Sequence, residues 1–464
     1  MMTTADAHPT KRFFVEMLVR DIELKDALLD LLDNCVDGVM RSAEHGTDPE
    51  RPYEGYWAKI NFDSESFCIV DNCGGIPLDL AERSAFRLGR KEEDRDGDLP
   101  TVGLYGIGMK RAIFKMGQSA TVTSQRSDHS FKVEIPSTWM TDDDAWEFSI
   151  EEIQNSTPYG TTIQVNELRP SIAKMFSQAE FLNDFLEEVS AYYSYIIEKG
   201  FKVTINNQEP VPRKLGFILE TGTDDNGNSI APYVYRREGA DDGVDVYLSV
   251  GLYRNSPTEE DEDQELAGRA SSESAGWTII CNDRVVLYAD KTRLTGWGEA
   301  TVPAYHTQFV AISGVVIFQS NDPSKLPLTT TKRGVDANSE LYSQIKDFMR
   351  EGMKQFTNYT NQWKKRPKER RDREQANGSV TKIFPKEAAR STALTFSKIR
   401  KPVGGEVFRP SLPGPATYTD RWIRFSRPES EIRLLSQEFF GTTDAKPSEI
   451  GEECFTRALK ELEA

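Results

Sequence analysis

The segment Ile22–Met40 constrains the fold most strongly, because its polar and apolar residues follow the period of an amphipathic helix. At about 100° per residue, one narrow stripe carries Asp26, Asp30, Asn34 and Asp37. The opposite side, which is expected to face a core, carries Leu28, Leu32, Cys35, Val36 and Val39. Like charges four residues apart destabilise a helix by a few tenths of a kcal/mol. Taken alone, the acidic stripe is either a solvated face or one wall of a cation and phosphate site.

Composition limits the classes of protein to which the chain can belong. Its 464 residues suffice for two or three domains, and a net charge of −17 argues against a general nucleic-acid coat. A local basic patch could still contact phosphate. The longest apolar run, Phe309–Phe318, is too short to span a bilayer, and the N-terminus lacks a hydrophobic signal core. We therefore expect a cytoplasmic protein with no membrane association.

The cysteines and histidines argue against several kinds of site. No C-x-x-C pair occurs among Cys35, Cys68, Cys73, Cys281 and Cys454. This spacing favours free thiols in a reducing compartment over a zinc site. The four histidines are separated in sequence, which disfavours a histidine metal cluster and a Ser-His-Asp site.

Three glycine-bearing segments follow the first helix in a fixed order. Asp71–Pro77 forms a tight turn after a strand, Gly103–Lys110 opens a helix, and Gly160-Thr161 begins another strand. Glycines let the backbone approach a phosphate chain closely, and the free N–H groups at a helix N-terminus attract anions. The segment Gly103–Lys110 is not a P-loop, since no G-K-[ST] follows, and it runs opposite to the dinucleotide fingerprint.

Together these segments resemble the GHKL ATPase superfamily, which includes the gyrase B subunit, heat-shock chaperones, MutL, MORC proteins and histidine kinases. The resemblance covers roughly residues 15–210. Four family motifs occur in chain order. The helix motif E-x-x-x-N-x-x-D is matched by Asp30, Asn34 and Asp37, and the turn D-x-G-x-G by Asp71 and Gly75. The motif G-x-x-G-x-G is matched by Gly103, Gly106 and Gly108, and the G-T strand by Gly160-Thr161.

The resemblance implies a role for each matched position. Asn34 would hold Mg²⁺, and Asp30 would be the general base that orients the attacking water. Asp71 would accept a hydrogen bond from the adenine amino group, supported by Thr161. Residues 78–102 would form the ATP lid. The other residues expected to bind ATP are Asp37, Gly75, Ile76, Lys91, Gly103, Leu104, Tyr105, Gly106, Ile107, Gly108, Met109 and Lys110.

Two positions depart from the family pattern. The base is usually Glu, and Asp30 is one methylene shorter, so we expect slow hydrolysis or hydrolysis only in a fully closed site. Cys73 replaces the first glycine of the adenine turn and tolerates positive φ less well, so we expect Gly74 to compensate.

We predict an α+β chain with four parts. A Bergerat-type α/β sandwich ATPase domain with an N-terminal arm would span residues 1–215, and a transducer-like α/β domain residues 216–350. A basic helix and linker would span residues 351–417, and a small helical module residues 418–464. The resemblance implies that the loop LPLTTTKRG of the transducer-like domain brings a catalytic cation to the γ-phosphate; Lys332 is the candidate, with Arg333 as the fallback.

The resemblance implies an ATP-dependent homodimeric clamp, closest in architecture to stand-alone prokaryotic MORC- or MutL-like ATPases, some of which act in anti-phage defence. The stretch Trp363–Arg373 has seven basic residues and two acids. It is either the solvated end of a helix or a contact for DNA or RNA through Lys364–Arg373. A separate effector protein is a further possible partner. The alternatives are a chaperone-like clamp on protein clients and a nucleotide-binding module with little hydrolysis.

Overall fold

The computed structural model describes two compact units, residues 1–415 and residues 416–464. Within them the described residues are 10–41, 48, 50–87, 101, 106–142, 146–223, 227–255, 274–329, 332–364, 366, 369–370, 373, 380–400, 403–415 and 423–463.

The first sheet has seven strands in the order β5-β4-β3-β6-β2-β1-β7. The strands are β1 (Trp57–Phe62), β2 (Phe67–Asp71), β3 (Gly117–Gln125), β4 (Phe131–Ile135), β5 (Ile150–Glu152), β6 (Gly160–Leu168) and β7 (Lys202–Ile205). Neighbouring strands are antiparallel except β1 and β7, which are parallel. Burial alternates along β1 and β2, as expected for strands with one face on a core.

Helices pack against this sheet around one hydrophobic core, which makes the fold a layered α/β sandwich. The helices are α1 (Lys11–Arg20), α2 (Leu24–Arg41), α3 (Leu78–Leu80, continued by a π turn at Ala81–Ala85), α4 (Gly108–Met116), α5 (Pro170–Phe176), α6 (Ala179–Tyr192) and α7 (Ser194–Glu198). Helix α2 supplies the apolar side that its sequence predicts, since Leu28, Leu32 and Val39 are buried. The α+β fold class predicted from the sequence is confirmed.

Residues 11–20, expected to be part of a short N-terminal arm, form the helix α1. Thr10 caps its N-terminus by accepting a hydrogen bond from the backbone N–H of Phe13. Lys11 anchors the helix: its buried ammonium lies 4.3 Å from the ring centroid of Trp139 and donates to the Trp139 carbonyl at 3.2 Å. Nothing in the sequence around Lys11 indicates that its partner is Trp139, which lies 128 residues away.

The second sheet also has seven strands, in the order β12-β11-β13-β10-β9-β16-β15. Its strands are β9 (Tyr233–Arg237), β10 (Asp245–Leu252), β11 (Gly276–Cys281), β12 (Arg284–Asp290), β13 (Ile312–Gln319), β15 (Ser397–Lys398) and β16 (Glu406–Phe408). Strands β8 (Phe217–Glu220) and β14 (Val380–Ile383) form a separate pair. Helix α8 (Glu340–Trp363) packs on the sheet through Met349, Met353 and Phe356.

Residues 380–400 and 403–408, expected from their composition to be part of a linker, instead form ordered elements, since β14 pairs with β8 and β15 and β16 join the second sheet. Strand β16 pairs with β9, and helix α9 (Pro385–Arg390) buries Ala388 and Ala389 in a hydrophobic cluster with Val234 of β9 and Tyr247 of β10. Strands of two to four residues are too short to show the alternation that identifies a strand in sequence. Their Gly, Pro and Ser content therefore dominated the prediction.

A two-residue turn of the second sheet contacts the α/β sandwich that contains the first sheet. Asn282 and Asp283, which join β11 to β12, both have positive φ, as hairpin turns of this length require. Lys199 donates to both carboxylate oxygens of Asp283 at 2.8 Å, and Tyr53 donates to it at 3.0 Å. The next residue, Arg284, reaches helix α2, so this turn holds the two layers together.

The described part of residues 416–464 contains two helices, α10 (Glu429–Phe440) and α11 (Pro447–Glu463), as the sequence predicts. Helix α10 ends at Gly441, whose left-handed conformation is typical of a helix C-terminus. Arg457 on α11 stacks 4.0 Å from the ring centroid of Phe439. Over the whole described part of the chain, no helix has both the length and the hydropathy needed to cross a membrane.

Candidate active site

One cavity is lined by every predicted site residue that the structure describes. It lies between α2, the turn after β2, the N-terminus of α4, the start of β6 and the loop that carries Lys332. The predicted residues that line it are Asp30, Asn34, Asp37, Asp71, Gly75, Ile76, Gly106, Ile107, Gly108, Met109, Lys110, Thr161 and Lys332. Lys91, Gly103, Leu104 and Tyr105 lie outside the described residues.

Asp71 ends β2 as a buried carboxylate held by backbone donors. Its Oδ1 accepts hydrogen bonds from the N–H of Cys73 at 2.8 Å and from the N–H of Thr161 at 3.1 Å. Its Oδ2 lies 3.5 Å from the Cys35 thiol, which acts as a weak donor. Burial raises the pKa of Asp71 to about 6, and the two backbone N–H groups oppose that rise. Asp71 is thus a fixed acceptor whose charge changes near neutral pH.

Glycines allow the backbone around Asp71 to come together. A Cβ on Gly160 would lie 1.9 Å from the Asp71 carbonyl oxygen, so only glycine fits where β6 meets the turn. The positive φ values fall on Gly74 and Gly75, at 92° and 71°, whereas Cys73 has none. The expected strain at Cys73 is therefore absent, because Gly74 takes the left-handed position, as predicted.

The second glycine segment places the start of α4 against α2. Gly106 has a φ of 64°, and a Cβ on Gly108 would lie 3.3 Å from the side chain of Asp30. Lys110 was predicted to contact phosphate. Its ammonium donates to the carbonyl oxygens of Ala85, at 2.8 Å, and of Gly106. Lys110 thus braces the loop before α4 against the segment that follows α3.

Asp30 lies between two cations. The guanidinium of Arg111 donates to its Oδ2 at 2.6 Å, and the ammonium of Lys332 lies 3.4 Å from its Oδ1. Sequence analysis did not identify Arg111, because a basic residue beside Lys110 on a helix is typical of a solvated face. It also missed Cys35, which lines the cavity at Asp71.

Lys332 reaches the cavity from the loop between strand β13 and helix α8. Its ammonium donates to Oδ2 of Asp33 at 2.8 Å. Burial alone would lower the pKa of Lys332, but the negative charges of Asp33 and Asp30 raise it above its ordinary value. Arg333, the fallback for the catalytic lysine, is directed elsewhere: it pairs with Asp26 and Glu188. The structure thus places Lys332, and not Arg333, at the cavity.

Asp33 is a further residue that sequence analysis missed. It is buried, and its Oδ1 accepts hydrogen bonds from Nε of Arg284 at 2.8 Å and from the hydroxyl of Tyr193. Burial alone would raise the pKa of Asp33, but Lys332 and Arg284 lower it to about 2. Asp33 is therefore ionised at neutral pH.

Comparison with known families supports the resemblance. Residues 22–170 match the family model described as "Histidine kinase-, DNA gyrase B-, and HSP90-like ATPase". This region belongs to the GHKL ATPase superfamily. Comparison with curated proteins found no significant match. Within the GHKL region the match includes α2, the Asp71 turn, α4 and β6, which are the elements around the cavity.

The donor set of this GHKL site fits a magnesium ion that is held mainly by phosphates. Asn34 lines the cavity and is exposed, and within the described residues its side chain makes no hydrogen bond. No group of three or more His, Cys, Asp or Glu residues in the described parts of the chain could hold a metal ion. Mg²⁺ in phosphate-transfer sites is commonly bound by one or two protein oxygens together with phosphates and water. The amide oxygen of Asn34 can supply such a ligand.

The basic stretch Lys364–Arg373 is described at Lys364, Arg366, Glu369, Arg370 and Arg373 only. Arg373 forms two hydrogen bonds of 3.0 Å with Glu220, a buried residue of β8. Arg370 is buried as well. Lys364 is exposed, as a nucleic-acid contact requires. The predicted contact with DNA or RNA stays a prediction.

Proposed function

We propose that this chain is an ATP-binding and ATP-hydrolysing switch that works as a homodimeric clamp. The observation that carries this proposal is the convergence of five separate chain segments on one cavity. The buried carboxylate of Asp71, the N-terminus of α4 and the base candidate Asp30 all line that cavity, together with Lys332 from the loop after β13. These are the parts that nucleotide recognition and phosphoryl transfer to water require.

Each described side chain has a separate task in this proposal. Asp71 accepts a hydrogen bond from the adenine amino group, the N–H groups at the start of α4 bind the phosphates, and Lys332 contacts the γ-phosphate. Asp30 orients the attacking water and takes its proton. When bound at Asn34, Mg²⁺ would neutralise charge on the phosphates.

Nucleotide selectivity tests the binding half of the proposal. Isothermal titration calorimetry should show that ATP binds the native chain and that GTP, which has a carbonyl in place of the amino group, binds much more weakly. Asp71→Asn should weaken ATP binding roughly tenfold or more, because a buried hydrogen bond to a charged group is lost. Asp184→Asn, which changes an exposed acid on α6, is the matched control. Equal affinity for ATP and GTP would contradict the role of Asp71.

The dimer is supported by α1, which exposes Phe13 and Met17 by 59% and 51%. Exposed apolar side chains on a terminal helix suit contact with a second copy. Sedimentation velocity should show a dimer with Mg²⁺ and a non-hydrolysable ATP analogue, and a monomer with ADP. Phe13→Ser combined with Met17→Ser should weaken the dimer. A monomer under both nucleotide conditions would rule out the clamp.

The clamp is proposed to act on nucleic acid or through a separate effector. The charges of Lys364, Lys365 and Lys368 support a phosphate contact. Fluorescence anisotropy with duplex DNA and RNA should show binding that weakens as salt rises and is lost when these three lysines are changed to Gln. Binding to neither nucleic acid would favour the chaperone-like clamp on protein clients. The proposed role in anti-phage defence rests on the resemblance to stand-alone prokaryotic ATPases, and the proposed cytoplasmic location rests on the composition of the sequence.

A second candidate is a nucleotide-binding module with little hydrolysis. The observation that favours it is the pairing of Asp30 with Arg111 and Lys332, because a carboxylate with both oxygens engaged is a poor acceptor for a water proton. Tight ATP binding without turnover above background would select this candidate over the ATPase.

A further inference from the structure

Asp33 forms ion pairs with two cations, Arg284 on strand β12 and Lys332 on the loop after β13. The guanidinium of Arg284 contacts Oδ1 at 2.8 Å, and the ammonium of Lys332 contacts Oδ2 at 2.8 Å. One buried carboxylate on helix α2 is therefore shared between a strand of the second sheet and the loop that approaches the cavity.

The two cations differ in how firmly the fold holds them. Arg284 is 1% exposed and starts β12 directly after the two-residue turn. Its NH1 donates to the carbonyl of Tyr192 at 3.0 Å, and its guanidinium lies 4.4 Å from the ring centroid of Tyr193. These contacts fix Arg284 in place regardless of what Lys332 contacts.

Lys332 has a second acceptor within reach. Its ammonium is 3.4 Å from Asp30, and the residue lines the cavity in which the phosphates are proposed to bind. A lysine side chain is a flexible chain of four carbons that ends in a compact ammonium group, so rotation about its bonds can move the ammonium from one acceptor to another. Asp33 would then keep its charge partner, because Arg284 remains on the other oxygen. A buried carboxylate left with no cation would be strongly destabilising, and here that cost is avoided.

We propose that Asp33 competes with the terminal phosphate of a nucleoside triphosphate for Lys332, with Arg284 as the permanent counter-ion of Asp33. This inference rests on the proposed function, in which Lys332 contacts the γ-phosphate. Binding of a triphosphate breaks the contact between Lys332 and Asp33, whereas a diphosphate has no third phosphate and leaves it intact. Asp33 thereby lowers the preference of the site for ATP over ADP and acts as a positioning residue for the lysine.

The test compares two affinities by calorimetry in the presence of Mg²⁺: that for a non-hydrolysable ATP analogue and that for ADP. Asp33→Asn should raise the ratio of analogue affinity to ADP affinity by about tenfold, within the usual range of coupling between sites. Lys332→Met should lower the ratio. In the Lys332→Met background, Asp33→Asn should leave the ratio unchanged, because the competing lysine is gone. A merely structural role of Asp33 would change both affinities together and leave their ratio constant.

Loss of folding is a foreseeable effect of Asp33→Asn, since it leaves Arg284 without an anion. The double variant Asp33→Asn/Arg284→Gln removes both charges, and a thermal melt followed by circular dichroism reports whether it folds. A rise at least as large is expected in this variant when it is compared with Arg284→Gln, because without Arg284 the carboxylate of Asp33 depends on Lys332 alone. A ratio that stays constant or falls in the folded variant overturns the inference while the proposed function stands. A native chain that binds neither nucleotide overturns both.

Discussion

The guanidinium of Arg111 lies 2.6 Å from Oδ2 of Asp30 and so joins helix α4 to helix α2 at the proposed base. Gly108, one turn earlier on α4, lacks the Cβ that would press on Asp30 at 3.3 Å. The short side chain of Asp30 is thus reached because Gly108 lets α4 approach α2 closely and because the side chain of Arg111 is long. This arrangement offers a physical reason why Asp can stand where the family usually has Glu.

Arg111→Ala should lower kcat for ATP roughly ten- to a hundredfold with little change in KM, because an unsupported Asp30 spends less time in the geometry that proton transfer needs. Arg111→Lys should recover part of the loss. Arg51→Ala, which removes an exposed arginine on another segment, serves as the control. Steady-state ATPase kinetics make the comparison. A higher kcat in Arg111→Ala would show instead that the pair restrains the base.

ATP affinity should fall as the pH drops through about 6, because protonation removes the negative charge with which Asp71 accepts the adenine amino group. The affinity for ATP is expected to drop by about tenfold for each pH unit below that value. Calorimetric titrations between pH 5 and pH 8 measure it. The affinity of Asp71→Asn should be nearly constant over this range, and a native profile as flat as that of the variant would contradict the assignment.

Folding stability should depend on Asp71 in the opposite direction. The pKa of this carboxyl is raised from 3.8 to about 6 by burial, so the folded chain binds its proton more tightly than the unfolded chain. Its contribution is therefore fully present below pH 3.8 and is lost as the pH rises through about 6, an effect of about 3 kcal/mol at 1.36 kcal/mol per tenfold change in proton affinity. Urea unfolding of the native chain and Asp71→Asn from pH 4 to pH 7.5 should show a difference in free energy of unfolding that changes in this sense. A constant difference would mean that Asp71 does not titrate in the folded chain.

Gly160→Ala should destabilise the chain by several kcal/mol or prevent folding, because its Cβ would overlap the Asp71 carbonyl oxygen at 1.9 Å. Gly222→Ala is the matched control, since a Cβ there meets nothing within 4 Å and the backbone needs no positive φ. Thermal melts of both variants make the comparison. Equal melting temperatures would show that β6 and the Asp71 turn are farther apart than described.

Sequence predicted those parts of the site whose signal is local. Asp71, Gly75 and Thr161 belong to short motifs in which each residue type has one physical reason, and all three line the cavity. The network around Asp33 could not be predicted in this way. Its partners Tyr193 and Arg284 lie 160 and 251 residues away in the chain, and nothing near any of the three indicates the pairing.

The same limit explains the differences in the fold. Helix α1 depends on the distant contact of Lys11 with Trp139, and strands β15 and β16 depend on the free edge of β9. Helix α2 and strand β2, which ends at Asp71, carry local periodic patterns, and the sequence predicted both.

If Asp30 is the base of an ATP-hydrolysing site, turnover of ATP in the presence of Mg²⁺ depends on its carboxylate. Phosphate release by the native chain should exceed background, and Asp30→Asn should lower it at least a hundredfold while ATP binding persists. Asp184→Asn, an exposed acid on α6, should turn over like the native chain. Turnover by Asp30→Asn at the native rate would show that Asp30 is not the base.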